Sequence, residues 1–265
     1  MGTDCFGVLP LRPFIWGQFA SGVTLEHERD PLKLDLPAFL ERSDWYLALP
    51  VDAREWVASR LVDRYVPRGQ VVARRGEIPG CWFGLVDGVL KSSVLTTDGR
   101  VSNLGGILPG AWFGEGGLLR ARPRHGDYVA LRDSRVVQLA LDDFSHLLQT
   151  QPAFKDFILM QVTERLHYFM DQLGEARLLR TPAQVAYTLC GLIHPLNNPL
   201  GFRHLPISQD ELAAIAGVSR QRCNQALALM RASGWLQTGY GGLTLLDIEP
   251  IARMAREGRG LLDPH

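Results

Sequence analysis

The chain has 265 residues, a length suited to two domains of ordinary size, and its 28 Lys and Arg balance 28 Asp and Glu for a formal net charge of zero. That balance excludes a general attraction to nucleic acid or acidic lipid, so binding of either kind has to come from a local patch. Cys5, Cys81, Cys190 and Cys223 stand apart, without the close spacing of a disulfide framework or structural zinc site. No apolar run reaches membrane-spanning length and the opening MGTDCFGVLPLRPF lacks the order of a signal peptide, so a cytoplasmic protein with no membrane partner is expected.

Residues 1–35 carry Pro10, Pro13 and Pro31 among short apolar groups and read as an extension without an assigned function. From Leu36 to Leu61 apolar residues recur at three and four, predicting short helices. Between Val62 and Leu141 strand-like segments alternate with turn signals at Pro67-Arg68-Gly69, Gly76, Asp87-Gly88, Asp98-Gly99, Pro109-Gly110 and Pro123-Arg124, predicting an antiparallel barrel or sandwich. A helix is expected at Asp142-Asp143-Phe144. After Pro152 a long one runs from Ala153 to about Arg180, with Leu159, Val162, Leu166, Phe169, Leu173 and Ala176 at heptad spacing. A helix lying on the barrel fits that stripe, but its narrowness between polar residues favours a seam between two copies of the chain.

Thr181-Pro182 starts another helix, with Val185, Leu189, Leu192 and Ile193 on its apolar face. Ser208 and Glu211 form a capping-box pair for the next one, which carries Leu212, Ala213, Ile215 and Ala216 inward and stops at Gly217. Val218 plugs the turn and Ser219 caps a second helix with Cys223, Ala226, Leu227 and Met230 inside. A small residue, a glycine turn, a plug and a cap in this register predict a helix-turn-helix over about 208–233. Its second helix then presents Arg220, Gln221, Asn224 and Gln225 outward near its N-terminus, with Arg222, Ser219 and Ser208 beside them. Arg suits guanine, and Gln or Asn suits adenine, in a major groove. Gly234, Tyr240, Gly241-Gly242 and Leu243 to Leu246 read as a hairpin wing.

Gly69, Gly76-Glu77, Val86-Asp87-Gly88, Leu108-Pro109-Gly110, Phe113-Gly114-Glu115, Pro123-Arg124 and Gly217-Val218-Ser219-Arg220 follow the order and spacing of the Crp/Fnr family, which the chain resembles from about Val62 to Asp247. The resemblance implies an α+β chain. An N-terminal jelly-roll barrel (double-stranded β-helix) of cyclic-nucleotide-binding type spans 36–152, a dimerisation helix 153–180 and a winged helix-turn-helix 181–250. A C-terminal tail, 251–265, follows. It also implies a homodimer on palindromic double-stranded DNA, with RNA polymerase as a further partner.

In cyclic-AMP-binding members a Gly-Glu pair and a later arginine hold the ribose and the cyclic phosphate, roles that fall here on Gly114, Glu115 and Arg124. The hydroxyl residue that follows the arginine in those members is replaced by His125, and Asp127 would repel an anion if it pointed inward. Phe169 and Met170 stand where the cyclic AMP receptor protein has hydroxyl residues for the adenine, and Arg165 is placed to pair with Glu115, a pairing that alone would hold barrel to helix. The resemblance therefore implies an effector other than cyclic AMP, such as another cyclic mono- or dinucleotide, or a pocket kept only as structure. A lone Cys5 speaks against an iron-sulfur cluster, and His125 and His167 are the conceivable haem ligands. Family members with Ser-Arg-Glu and a later arginine read a site that Gln221 and Gln225 should alter. A module acting on a protein partner is the alternative function. No catalytic or metal set is expected, because Glu115, Arg124, His125 and Asp127 lack a nucleophile.

Overall fold

The structure is a computed structural model and describes residues 34–95, 101–175, 181–239 and 241–257, without the side chains of residues 95, 101, 102, 171–175 and 257. Residues 1–33 of the N-terminal extension, Asp98-Gly99, Ala176, Tyr240 and the last eight residues lie outside them, as does the Leu173 side chain.

Three short helices open the described chain: α1 (Leu36–Leu40), α2 (Asp44–Leu47) and α3 (Val51–Arg60). Eight strands follow: β1 (Val62–Val66), β2 (Val71–Ala73), β3 (Cys81–Asp87), β4 (Leu90–Leu95), β5 (Val101–Ile107), β6 (Trp112–Phe113), β7 (Asp127–Ala130) and β8 (Ser134–Ala140). Helix α4 (Glu115–Arg120) is inserted after β6. The strands form two four-stranded antiparallel sheets, ordered β1-β8-β3-β6 and β2-β7-β4-β5. Turn glycines sit where the punctuation placed them. Gly69, Gly76, Gly88 and Gly110 all have positive φ, and at Gly88 a Cβ would also strike the Ser134 side chain.

The outer face of the first sheet is covered by an aromatic core that joins α1 and α2 to the barrel. Trp82 stacks on Trp112 with centroids 4.4 Å apart, and Trp45 meets Trp112 edge-on at 5.0 Å. Trp112 Nε1 donates to Ser43 Oγ at 3.0 Å, which settles one indole inside the core. Phe144 of α5 (Leu141–Thr150) and Phe154 of α6 (Pro152–Glu175) complete the cluster. The α6 helix is thereby clamped onto the barrel along its first turns, and no helix among the described residues is long and apolar enough to cross a membrane.

The C-terminal part consists of α7 (Thr181–Ile193), β9 (His204–Leu205), α8 (Gln209–Ala216), α9 (Arg220–Ala232), β10 (Leu236–Gly239), β11 (Gly242–Leu245) and α10 (Ile248–Glu257). The wing is a three-stranded sheet, β10-β11-β9. Residues 251–257, expected as tail, are instead the body of α10, with Ile251, Ala252 and Ala255 buried. Pro250 stands in the first helical turn, where a missing N–H costs no intrahelical bond.

Barrel and C-terminal helices share one apolar cluster. Val89 and Leu108 of the barrel are fully buried among α7, α8, α9 and α10. At Gly106 a Cβ would come within 2.4 Å of Leu192 Cδ2 and 3.1 Å of Ile215 Cδ1, so a side chain there would force the buried Leu192 to shift. Arg132 donates to Glu211 Oε2 at 2.7 Å, Asn103 Nδ2 donates to the Ala214 carbonyl, and Leu108 N donates to the Asn197 carbonyl at 2.9 Å.

Candidate DNA interface and effector cavity

The helix-turn-helix forms with its predicted caps. Ser208 Oγ accepts from Glu211 N at 3.2 Å while Ser208 N donates to Glu211 Oε2 at 2.6 Å, so two otherwise orphaned N–H groups are satisfied. Gly217 ends α8 at φ +67°, and Ser219 Oγ accepts from Arg222 N at 3.3 Å to start α9. Ala213, Cys223, Ala226, Leu227 and Met230 are buried, with Val218 packed against them.

Arg220, Gln221, Arg222 and Gln225 are exposed, as are Ser208 and Ser219. Asn224, expected on the same outer face, is half-buried and its Oδ1 is enclosed without a hydrogen-bond partner. It stands about 100° round the helix from Cys223, on the margin of the buried stripe, whereas Gln221 and Gln225 face away from it. Arg220 Nε lies 3.0 Å from Asp210 Oδ1 in an exposed ion pair that the sequence reading missed. Such a pair is weak, worth about 0–1 kcal/mol, and gives way to a stronger acceptor.

The second site is a cavity of about 290 Å³ between α4, the second sheet, α6 and the loop after α7. Gly114, Glu115, Arg124, His125, Arg165 and Phe169, the six residues proposed from the sequence, all line it. A bulge in the β4–β5 pairing at Ser92/Ser93 inserts Leu104 as an extra residue, and Leu104, Gly105 and Gly106 form one wall. Glu115 is 1% exposed; its Oε1 accepts from Arg165 Nε at 2.8 Å, and its Oε2 has no hydrogen-bond partner. Burial works against the Arg165 charge, but Glu115 and the neighbouring phenols outweigh it and raise its pKa. Arg124 donates from Nη2 to the Cys81 carbonyl at 3.1 Å and lies 5.2 Å over the Phe83 ring. Asp127 does not oppose an anion: its carboxylate accepts from Arg75 N at 2.7 Å and does not line the cavity.

Along α6 the expected heptad divides between two faces. Leu159 and Leu166 are 64% and 58% exposed, as is Met170 at 59%, whereas Val162 packs on the aromatic core and Phe169 lines the cavity. The exposed stripe is therefore Leu159, Leu166 and Met170. Val162 and Phe169 are half-buried and turn toward the barrel within one chain, because positions three residues on from Leu159 and Leu166 lie at the edge of the barrel face. His167 is exposed and apart from the cavity.

The sequence reading missed Tyr128, Tyr168, Asn197, Arg120 and Arg122 as lining residues. The alternation Arg120, Arg122, Arg124 was visible as a pattern; Tyr168 and Asn197 had no local signal.

A family model of the cyclic nucleotide-binding domain matches residues 63–151, and one of the Crp-like helix-turn-helix domain matches residues 183–254. The CRP-like cAMP-activated global transcriptional regulator of Mycobacterium tuberculosis is 26% identical over 194 residues, covering 72% of this chain and 86% of that protein. The cyclic AMP receptor protein of Thermus thermophilus is 25% identical over 192 residues, covering 72% and 87%. Among solved structures, FixK2 from Bradyrhizobium japonicum superposes with a TM-score of 0.61 at 15% identity over 73% of this chain and 96% of that one, a likeness of fold. With a cyclic nucleotide-binding barrel followed in one chain by a Crp-like helix-turn-helix, the protein belongs to the Crp/Fnr family of transcription regulators.

Proposed function

We propose that the chain acts as a homodimer that binds a palindromic operator through α9, under control of an anionic nucleotide other than cyclic AMP held in the barrel cavity. The observation that carries the DNA reading is the doubly capped helix-turn-helix, which leaves Arg220, Gln221, Arg222 and Gln225 exposed at the start of α9. A helix N-terminus entering a major groove brings such side chains to base edges, each good bidentate pairing being worth about 1–3 kcal/mol. Leu159, Leu166 and Met170 supply an exposed apolar stripe for pairing two α6 helices.

The effector reading is supported by the basic lining and by Glu115 Oε2, a buried acceptor suited to a ligand hydroxyl. The relatives from Mycobacterium tuberculosis and Thermus thermophilus carry cyclic AMP in their names. Here Phe169 offers a ring for stacking instead of a hydroxyl, and exposed Met170 does not line the cavity, so adenine-specific contacts are reduced.

Selection of bound duplexes from random DNA tests the reading. A two-fold symmetric site with half-sites about 34 Å apart is expected; enrichment of a single half-site contradicts the dimer, and no enrichment contradicts sequence-specific binding.

A further inference from the structure

Charges around the cavity are unequal. Among the described residues four arginines, Arg120, Arg122, Arg124 and Arg165, line it together with His125, against one carboxylate, Glu115. Two of the arginines are engaged within the protein: Arg165 is paired with Glu115, and Arg124 holds the Cys81 carbonyl and the Phe83 ring. Arg120 and Arg122 are exposed at the mouth and have no hydrogen bond, ion pair or ring contact among the described residues.

The backbone between them is unusual. Ala121 has φ +47°, alone among the described non-glycine residues in being positive, a conformation in which Cβ crowds the carbonyl. This left-handed residue caps α4 and reverses the chain there, so that Arg120 and Arg122 both border the cavity while Ala121 does not. Strain of this kind persists where the surroundings impose it, and it clusters at ligand clamps.

A cyclic mononucleotide carries one negative charge, and Arg124 alone stands for it. We infer that Arg120 and Arg122 form a second anion subsite at the cavity mouth, and that the effector is a nucleotide bearing at least two phosphates. This rests on the effector reading above and names its ligand class. Guanidinium groups grip phosphate oxygens in bidentate fashion, and two beside one another hold a phosphate too distant for Arg124. A cyclic dinucleotide and a linear nucleoside polyphosphate share this chemistry, and titration with each separates them.

The experiment is calorimetric titration of the full chain with cyclic AMP, cyclic GMP, cyclic di-GMP, cyclic di-AMP, ATP and guanosine tetraphosphate. It is repeated with the Arg120→Gln/Arg122→Gln variant, whose exposed substitutions leave the core untouched; an unchanged unfolding midpoint confirms this. At least one probe with two or more phosphates binds tenfold or more tightly than either cyclic mononucleotide. The double variant weakens that probe about a hundredfold, roughly tenfold per charge-assisted contact, and leaves mononucleotide binding unchanged. If a cyclic mononucleotide binds as tightly as any other probe, or the double variant changes nothing, the second subsite is wrong while the effector reading stands. If no probe binds, the effector reading itself is wrong and the inference falls with it.

Discussion

Glu115 shows how much one side chain carries. It is almost wholly buried and among the described residues its ion-pair partner is Arg165, so Arg165→Met leaves an uncompensated carboxylate and is expected to destabilise the chain by about 3–5 kcal/mol in urea unfolding. Adding Glu115→Gln to that variant should recover much of the loss; equal losses in single and double variants would show that the pair is not coupled. Cys223 and Cys190 report on the C-terminal core in a different way. Burial pushes their thiols up from 9.0 to about 11 and about 12. Unfolded chains ionise both near pH 9 while the folded protein keeps them neutral. Their contribution to stability is therefore full below about pH 9 and is lost as the pH rises through 11 and 12. Chemical denaturation between pH 8 and 11 should show falling stability, and a thiol reagent at neutral pH should modify these two only on unfolding.

The elements themselves were largely legible. The capping-box pair Ser208/Glu211, Gly217 and Ser219 each state a local rule, and the structure places each as the rule requires. Ser208→Ala is expected to cost about 1 kcal/mol by orphaning the Glu211 N–H. Gly217→Ala has open space for its Cβ but must hold φ +67°, so a loss of about 1 kcal/mol is expected from backbone conformation alone. Thermal unfolding of both variants checks these values. Periodicity alone does not divide a helix that carries two apolar faces. Val162 and Phe169 share heptad spacing with Leu159 and Leu166 yet turn to the barrel, since spacing gives no sign of which partner a stripe meets. Cavity walls were legible at the glycine-and-charge motif of α4. They were illegible at Tyr168 and Asn197, which only the fold brings there.

At the scale of the whole molecule, the cyclic nucleotide-binding barrel and the helix-turn-helix part touch directly. Arg132 pairs with Glu211, the same residue that caps α8, and Asn197, which follows α7, lines the barrel cavity. Contacts between residues 79 positions apart obey no local pattern, which is why the sequence showed two modules but not their junction. The proposed dimer is also tested at this scale: Leu159→Glu with Leu166→Glu should give monomers in sedimentation and lose the symmetric site while α9 stays folded. The central claim, that α9 reads DNA through its exposed N-terminal side chains, is tested most directly by fluorescence anisotropy on the selected site. Wild type, Arg220→Ala and Gln225→Ala are to be compared on that site and on random duplex. Each substitution is expected to weaken specific binding by about 1–3 kcal/mol and to leave salt-dependent binding to random DNA largely intact. Unchanged affinity of Arg220→Ala for the selected site would contradict the account.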